Sequence, residues 1–235
     1  MSLLKNNANI HGLAIDTIEF SDIDQSEGNW IIDTGYIQTI TFSNATFSKI
    51  KNLDEVDETS GILFISTLDL DSQFDIGISN ILFNDSNTNF ISFGSITNTP
   101  STTKYLEITN FTYTNSYIRT DRKLLSTEGI EVEENFMINL NQITFTEITF
   151  YSVGSLISFG HQLLDYVQVT GLTITDITAG RLQIESTNLQ NTDLLTQVSI
   201  SDSTFDSIDD QYSSLIITEQ GGRLNVTNSS FTNIF

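Results

Sequence analysis

The sequence predicts an all-β chain wound as a parallel β-helix, a solenoid of about eight coils with three short strands per coil. Three observations predict it. An eleven-residue phrase recurs eight times, apolar and polar positions alternate within each copy, and one odd step in that alternation recurs at the same place. The copies run from Leu13, Ile40, Ile76, Leu106, Ile138, Val167, Val198 and Leu224. Each has an aromatic or aliphatic anchor at its eighth position: Phe20, Phe47, Phe83, Tyr113, Phe145, Ile174, Phe205 and Phe231. Successive anchors are 27, 36, 30, 32, 29, 31 and 26 residues apart. Such a period belongs to stacked supersecondary units rather than to one closed core.

The first strand of the coil comes from the columns ahead of the anchor. Seven residues before it every copy is aliphatic, from Leu13 to Leu224, and five before it every copy is apolar, from Ile15 to Val226. Polar or small residues stand between and after them, which is the period-two pattern of a strand with one buried face. The second strand carries Ile18, Ala45, Ile81, Phe111, Ile143, Leu172, Ser203 or Ser229 two before the anchor, then the anchor itself. Inward positions five and two before the anchor differ by an odd step, so one residue must turn the backbone. That column reads Thr17, Asn44, Asn80, Asn110, Gln142, Gly171, Asp202 and Asn228, and Asn, Asp and Gly tolerate the left-handed conformation of a tight corner. Three after the anchor most copies are aliphatic; Ser86 and Ser116 depart. A third apolar piece lies between phrases, for example Ile31-Ile32, Leu63-Phe64-Ile65 and Leu124-Leu125, with loops of variable length around it. Eight coils at the inter-strand spacing would make a rod roughly 38 Å long.

Composition agrees and excludes several classes. In 235 residues there are one proline, no cysteine and 38% hydrophobic residues, with Phe, Ile, Thr, Ser and Asn prominent. Aromatic and β-branched residues suit a pleated, half-buried surface. One β-helix domain spanning 1–235 is expected, as a segment of a longer extracellular protein. A net charge of −21 makes nucleic acid and anionic membrane poor partners, because both reward positive patches. There is no apolar run long enough to span a bilayer. Without cysteine there is neither disulfide nor thiol chemistry.

The copies Leu224-Asn-Val-Thr-Asn-Ser-Ser-Phe-Thr-Asn-Ile and Val198-Ser-Ile-Ser-Asp-Ser-Thr-Phe-Asp-Ser-Ile resemble the repeat of right-handed parallel β-helix surface proteins. They are similar to coils of the pectin-lyase-like and polymorphic outer-membrane adhesin families. The resemblance covers residues 13–234 and implies right-handed, single-stranded winding and an extracellular or surface life.

Pectin-lyase-like folds include lyases and glycoside hydrolases, so the resemblance leaves an enzyme open. Glycoside hydrolysis needs paired carboxylates across a cleft. Asp209-Asp210 with Asp206 and Asp202 is the densest acidic group, but Asp202 falls in the corner column and Asp206 in an outward one. A lyase would want carboxylates for Ca²⁺ with a basic residue, a role open to Asp69, Asp71 and Arg119, Arg122 or Lys123, which no repeat position forces together. His11 and His161 have no second histidine or cysteine at metal-ligand spacing. The acidic stretches 54–58 and 128–134 lack the spacing of a calcium loop, so no cofactor is expected beyond loosely held Ca²⁺. No residue is assigned as catalytic.

Five Asn-x-Ser/Thr sequons remain, at Asn44, Asn84, Asn110, Asn225 and Asn228. Asn84 and Asn225 occupy outward positions and are the expected glycan acceptors. Asn44, Asn110 and Asn228 are corner residues that, with Asn80, are expected to bond one another's amides in an internal ladder and so resist modification. The expectation for function is a noncatalytic extracellular or cell-surface module, serving as adhesin, surface coat or filament component. The alternative is a carbohydrate-active enzyme. Partners expected are a protein or glycan at the cell surface, and further coils or another subunit stacked end to end.

Overall fold

A computed structural model describes all residues except 1–3, 7–9, 26–29, 35–36, 53–59, 66–67, 71–73, 94–95, 99–103, 119–121, 128–129, 132–135, 160–165, 186–196, 210–215 and 220–222. The described residues form strands and no helix, in a 17-stranded sheet and a separate 3-stranded sheet. Every pairing between strands is parallel, as a solenoid requires when each coil hydrogen-bonds to the next.

The phrases stack in one register. Phe20 pairs with Phe47, Phe47 with Phe83, Phe83 with Tyr113 and Tyr113 with Phe145, then Ile174, Phe205 and Phe231 follow. Their side chains point inward and make an aromatic column: Phe47 and Phe83 have ring centroids 4.7 Å apart, Phe83 and Tyr113 5.0 Å, and Phe205 and Phe231 4.4 Å. Each stacked pair adds roughly 0.5–1.5 kcal/mol beyond the area it buries. A second stack closes the coil, built from strands Leu4–Asn6, Trp30–Thr34, Gly61–Ile65, Asn89–Phe93 and Lys123–Ser126, the ends of Phe136–Phe159 and Thr173–Glu185, and Ile216–Glu219. Phe90 reaches from this stack to Phe83 and Phe111 across the interior. The small sheet, Leu68–Leu70, Ile96–Asn98 and Ile130–Glu131, lies in the stretches that follow the third strand.

The expectation of about eight coils needs correction to about five turns. The copies at the two ends are the least enclosed. In the first copy Leu13, Ile15, Ile18, Phe20 and Ile23 are only partly buried, and at the other end Phe231 is 46% exposed.

All eight residues of the predicted corner column have positive φ, from 49° at Asn228 to 68° at Gly171. A second corner, which the sequence reading passed over, follows five residues later in every copy, at Asp22, Lys49, Asp85, Asn115, Glu147, Asp176, Ser207 and Asn233. The phrase therefore contains three straight segments rather than two. The last of these pairs Ile23, Asp24 and Gln25 with Ile50, Lys51 and Asn52. Its signal was the same odd step, since the anchor and the residue three beyond it both point inward.

Candidate functional site

Two corners and two outward strand faces recur up the stack, and the chemistry open to the molecule lies on them. At the first corner Asn80 Nδ2 donates to Asn44 Oδ1 at 2.9 Å, and Asn110 Nδ2 donates to Asn80 Oδ1 at 2.8 Å. Asn44 Nδ2 in turn donates to Asp16 Oδ1 at 2.6 Å. This amide ladder runs along an exposed edge of the coil, not inside it as the sequence reading had placed it. Asn228 keeps the corner conformation, but Gln142, Gly171 and Asp202 separate it from the ladder.

The corners also explain the serines that break the aliphatic rule. Ser86 and Ser116 stand immediately after the second corner and are buried. Ser116 Oγ donates to Thr114 O at 2.8 Å and accepts from Ser86 N–H at 3.1 Å, while Ser86 Oγ donates to Asn84 O and accepts from Ile50 N–H. Ser203 and Ser229 repeat the arrangement after the first corner: each donates to the carbonyl two residues back and accepts from the neighbouring coil, from Leu172 and Ser203 respectively. A hydroxyl that makes both bonds can replace an aliphatic side chain without leaving a buried polar group unpaired.

Aspartates ahead of a corner serve as acceptors. Asp16 Oδ1 accepts from Ser43 Oγ and Asn44 Nδ2, and Asp206 Oδ1 accepts from Thr232 Oγ1 and Asn233 Nδ2. Bonds to the ionised form hold both carboxyls below the ordinary carboxylate value, with Ser43 and Thr232 the leading causes. Asp206 is thus committed to its neighbouring coil, and Asp202 is an exposed corner residue. Asp209 is half-buried, and Asp210 lies outside the described residues.

The other sequence candidates scatter. Asp69 stands in the separate sheet opposite Thr97, Asp71 and Arg119 lie outside the described residues, and Lys123 is half-buried opposite Ser155. Arg122 is only 2% exposed, so its guanidinium is not presented to a solvent cleft. It lies near the buried Tyr113, whose hydroxyl donates toward Ser86 O and Thr88 O and whose pKa is pushed up by burial. His11 lies on the strand Ile10–Gln25. His161, the stretch 54–58 and most of 128–134 lie outside the described residues. Among the described residues no group of three His, Cys, Asp or Glu side chains is placed to hold a metal.

The sequons differ in what engages them. Nδ2 of Asn44 and of Asn110, the atom a glycan would occupy, donates within the ladder. Asn84 is exposed, but its sequon bends at Asp85 and its Ser86 is buried. Asn225 and Thr227 are both exposed on the straight strand Arg223–Thr227, and Asn228 and Ser230 are exposed at the following corner.

The outward face of the second strand is made chiefly of threonine. Rows Thr112/Thr114, Thr144/Thr146 and Thr173/Thr175 lie in direct register, with Thr204 beyond them. Thr175 Oγ1 donates to Thr146 Oγ1 at 2.9 Å. On the other side Leu82/Asn84 and then Thr46/Ser48 continue the rows. The six threonines of the three rows are half-buried by their neighbours, and Thr204 is exposed. Sequence reading saw polar ladders but not this lattice, whose signal is the column on each side of the anchor.

Comparison with protein families, curated proteins and solved structures finds no match to the chain. Its fold is a parallel β-solenoid on the strength of its own strand pairing.

Proposed function

We propose that this chain is a noncatalytic extracellular or cell-surface β-helix module of the right-handed, pectin-lyase-like type, acting as adhesin, surface coat or filament component. The observation that carries the reading is that exposed side chains at and beside the corners are bonded coil to coil. Asp16, Asn44, Asn80 and Asn110 form one such line, and Asp206, Thr232 and Asn233 another. Side chains committed in this way stiffen a rod and present fixed polar faces, which suits contact with a protein or glycan at a cell surface. The exposed Asn225 sequon supports a secreted life, since its asparagine and its threonine both face solvent. Exposed apolar groups at Phe231 and Ile234 would suit end-to-end stacking on further coils or another subunit.

The test is made on protein from its native source. Glycopeptide mass spectrometry is expected to find glycan at Asn225 and none at Asn44 or Asn110, and surface labelling of intact cells is expected to reach the chain. An unmodified chain confined to the cell interior, or turnover of neutral or acidic polysaccharides by the purified protein, would overturn the reading.

A further inference from the structure

We infer that the threonine face of the second strand binds crystalline water, that is, an ice surface. Three properties of the face lead there. The first is its geometry. Residues two apart on a strand are roughly 6.6–6.8 Å apart and adjacent parallel strands about 4.8 Å, so the backbone positions of Thr112/Thr114, Thr144/Thr146 and Thr173/Thr175 form a small rectangular lattice of threonines, within which the Thr175 and Thr146 hydroxyls bond each other at 2.9 Å. Register along these rows is unbroken; the shifts in this strand pairing begin only beyond Thr149.

The second property is rigidity. Threonine is β-branched and restricted at χ1, so each hydroxyl and methyl keeps its place. Little side-chain freedom remains to be lost when a partner docks, which is the condition for many weak contacts to add up.

The third is charge. The chain carries −21, yet from the second copy to the sixth these outward columns hold Thr46, Ser48, Leu82, Asn84 and the six threonines, with no charged residue among them. Glu19 and Asp206 appear only in the first and seventh copies. The two columns themselves offer a charged partner nothing to pair with; the charges of Lys49, Asp85, Glu147 and Asp176 stand at the corner that borders them. Protein hot spots lean on Trp, Tyr and Arg, and a sugar ring would want an aromatic platform; the aromatic anchors between these threonines all point inward. The exposed Tyr117 and Tyr151 belong to positions beyond the second corner. A neutral, stiff, periodic array of hydrogen-bonding and methyl groups is complementary to a partner that is itself neutral and periodic. Crystalline water supplies donors and acceptors at fixed spacing, with gaps between them for methyl groups.

The inference goes beyond the surface-module reading and fails separately from it, because cell attachment needs no affinity for ice. The experiment uses the full chain produced without glycans, frozen slowly into a growing ice body, with the fraction incorporated measured against a non-binding protein. Thermal hysteresis in the same solution gives a second readout. The wild type is expected to enter the ice and to depress the freezing point below the melting point. Thr144→Arg is expected to abolish both, while Thr41→Arg, on the first-strand face, leaves both intact. Far-UV circular dichroism and melting confirm that the variants fold. Should Thr144→Arg unfold, Thr144→Ser keeps a hydroxyl, drops the methyl, and is expected to weaken incorporation. Exclusion of the wild type from ice, equal incorporation of Thr144→Arg and wild type, or binding to crystalline cellulose or chitin but not to ice would each overturn the inference.

Discussion

The two corners of the coil have the same backbone and different chemistry. The first is rich in Asn and carries an amide ladder through Asn44, Asn80 and Asn110. The second includes Lys49, Glu147 and Ser207, none of them a ready occupant of left-handed conformation, yet each has a φ of 54°. The ladder is therefore not what makes a corner. The corner is imposed by the need to keep the residues on either side of it pointing inward. Corner chemistry then adjusts the energy of a geometry already fixed by burial, much as tertiary context overrides local preference in ordinary strands.

The sharpest way to break this picture is at the corner serines. Ser86→Ala would leave the Ile50 N–H and Asn84 O without the hydroxyl that joins them. Losing such a buried bond costs about 1–3 kcal/mol. Ser203→Ala at the first corner is expected to match it, because Leu172 N–H and Ser201 O are joined in the same way. Ser229→Ala, near the exposed end, is expected to cost clearly less. Denaturant unfolding of the three variants measures the ranking, and equal losses would mean that burial is not the deciding variable.

A smaller effect separates ladder from backbone. Asn80→Ala loses two side-chain bonds and also forces an alanine into left-handed conformation, a combined cost of about 1–2 kcal/mol. Asn80→Gly loses the bonds but keeps the conformation at ease, so it is expected to cost less than the alanine. If the two were equal, the ladder rather than the corner would hold the energy. Opposite in sign, Glu147→Gly at the second corner should stabilise by roughly 0.5–1 kcal/mol, by relieving a conformation that costs a residue with a Cβ. Thermal melting of these variants reads all three differences.

The smallest effect is in acid. The folded pKa values of Asp16 and Asp206 lie below the ordinary value of 3.8. Their contribution to stability is therefore complete above that value and is lost as pH falls through the lowered folded pKa. Asp206→Asn is expected to be less stable than wild type at neutral pH, with the gap narrowing below pH 3.8. Comparing the variant with wild type at each pH removes the general relief of repulsion among the 30 acidic residues. A gap that stayed constant into strong acid would mean that Thr232 and Asn233 do not hold the ionised form.

Much of the coil was legible because its rules are local and repeated. The first corner could be located in every copy, from Thr17 to Asn228, because a single odd step in alternation must be absorbed by one residue. The second corner followed from identical logic but was masked by the chemistry of Lys49 and Glu147, which does not advertise a turn. Ser86 and Ser116 read as exceptions until their hydroxyls were seen bridging coils. The threonine lattice needed two columns to be viewed side by side across copies.

By itself the sequence determined the strand alternation, the stacking of anchors and the inward column from Phe20 to Phe231, because a period of two and a repeated length leave burial few alternatives. It also determined the large negative charge. Tertiary structure alone decided which coils are fully enclosed, that the asparagine ladder runs on an exposed edge, and that Arg122 is interior. Those outcomes depend on which residues of different coils become neighbours, and loops of varying length hide that from any single stretch of chain.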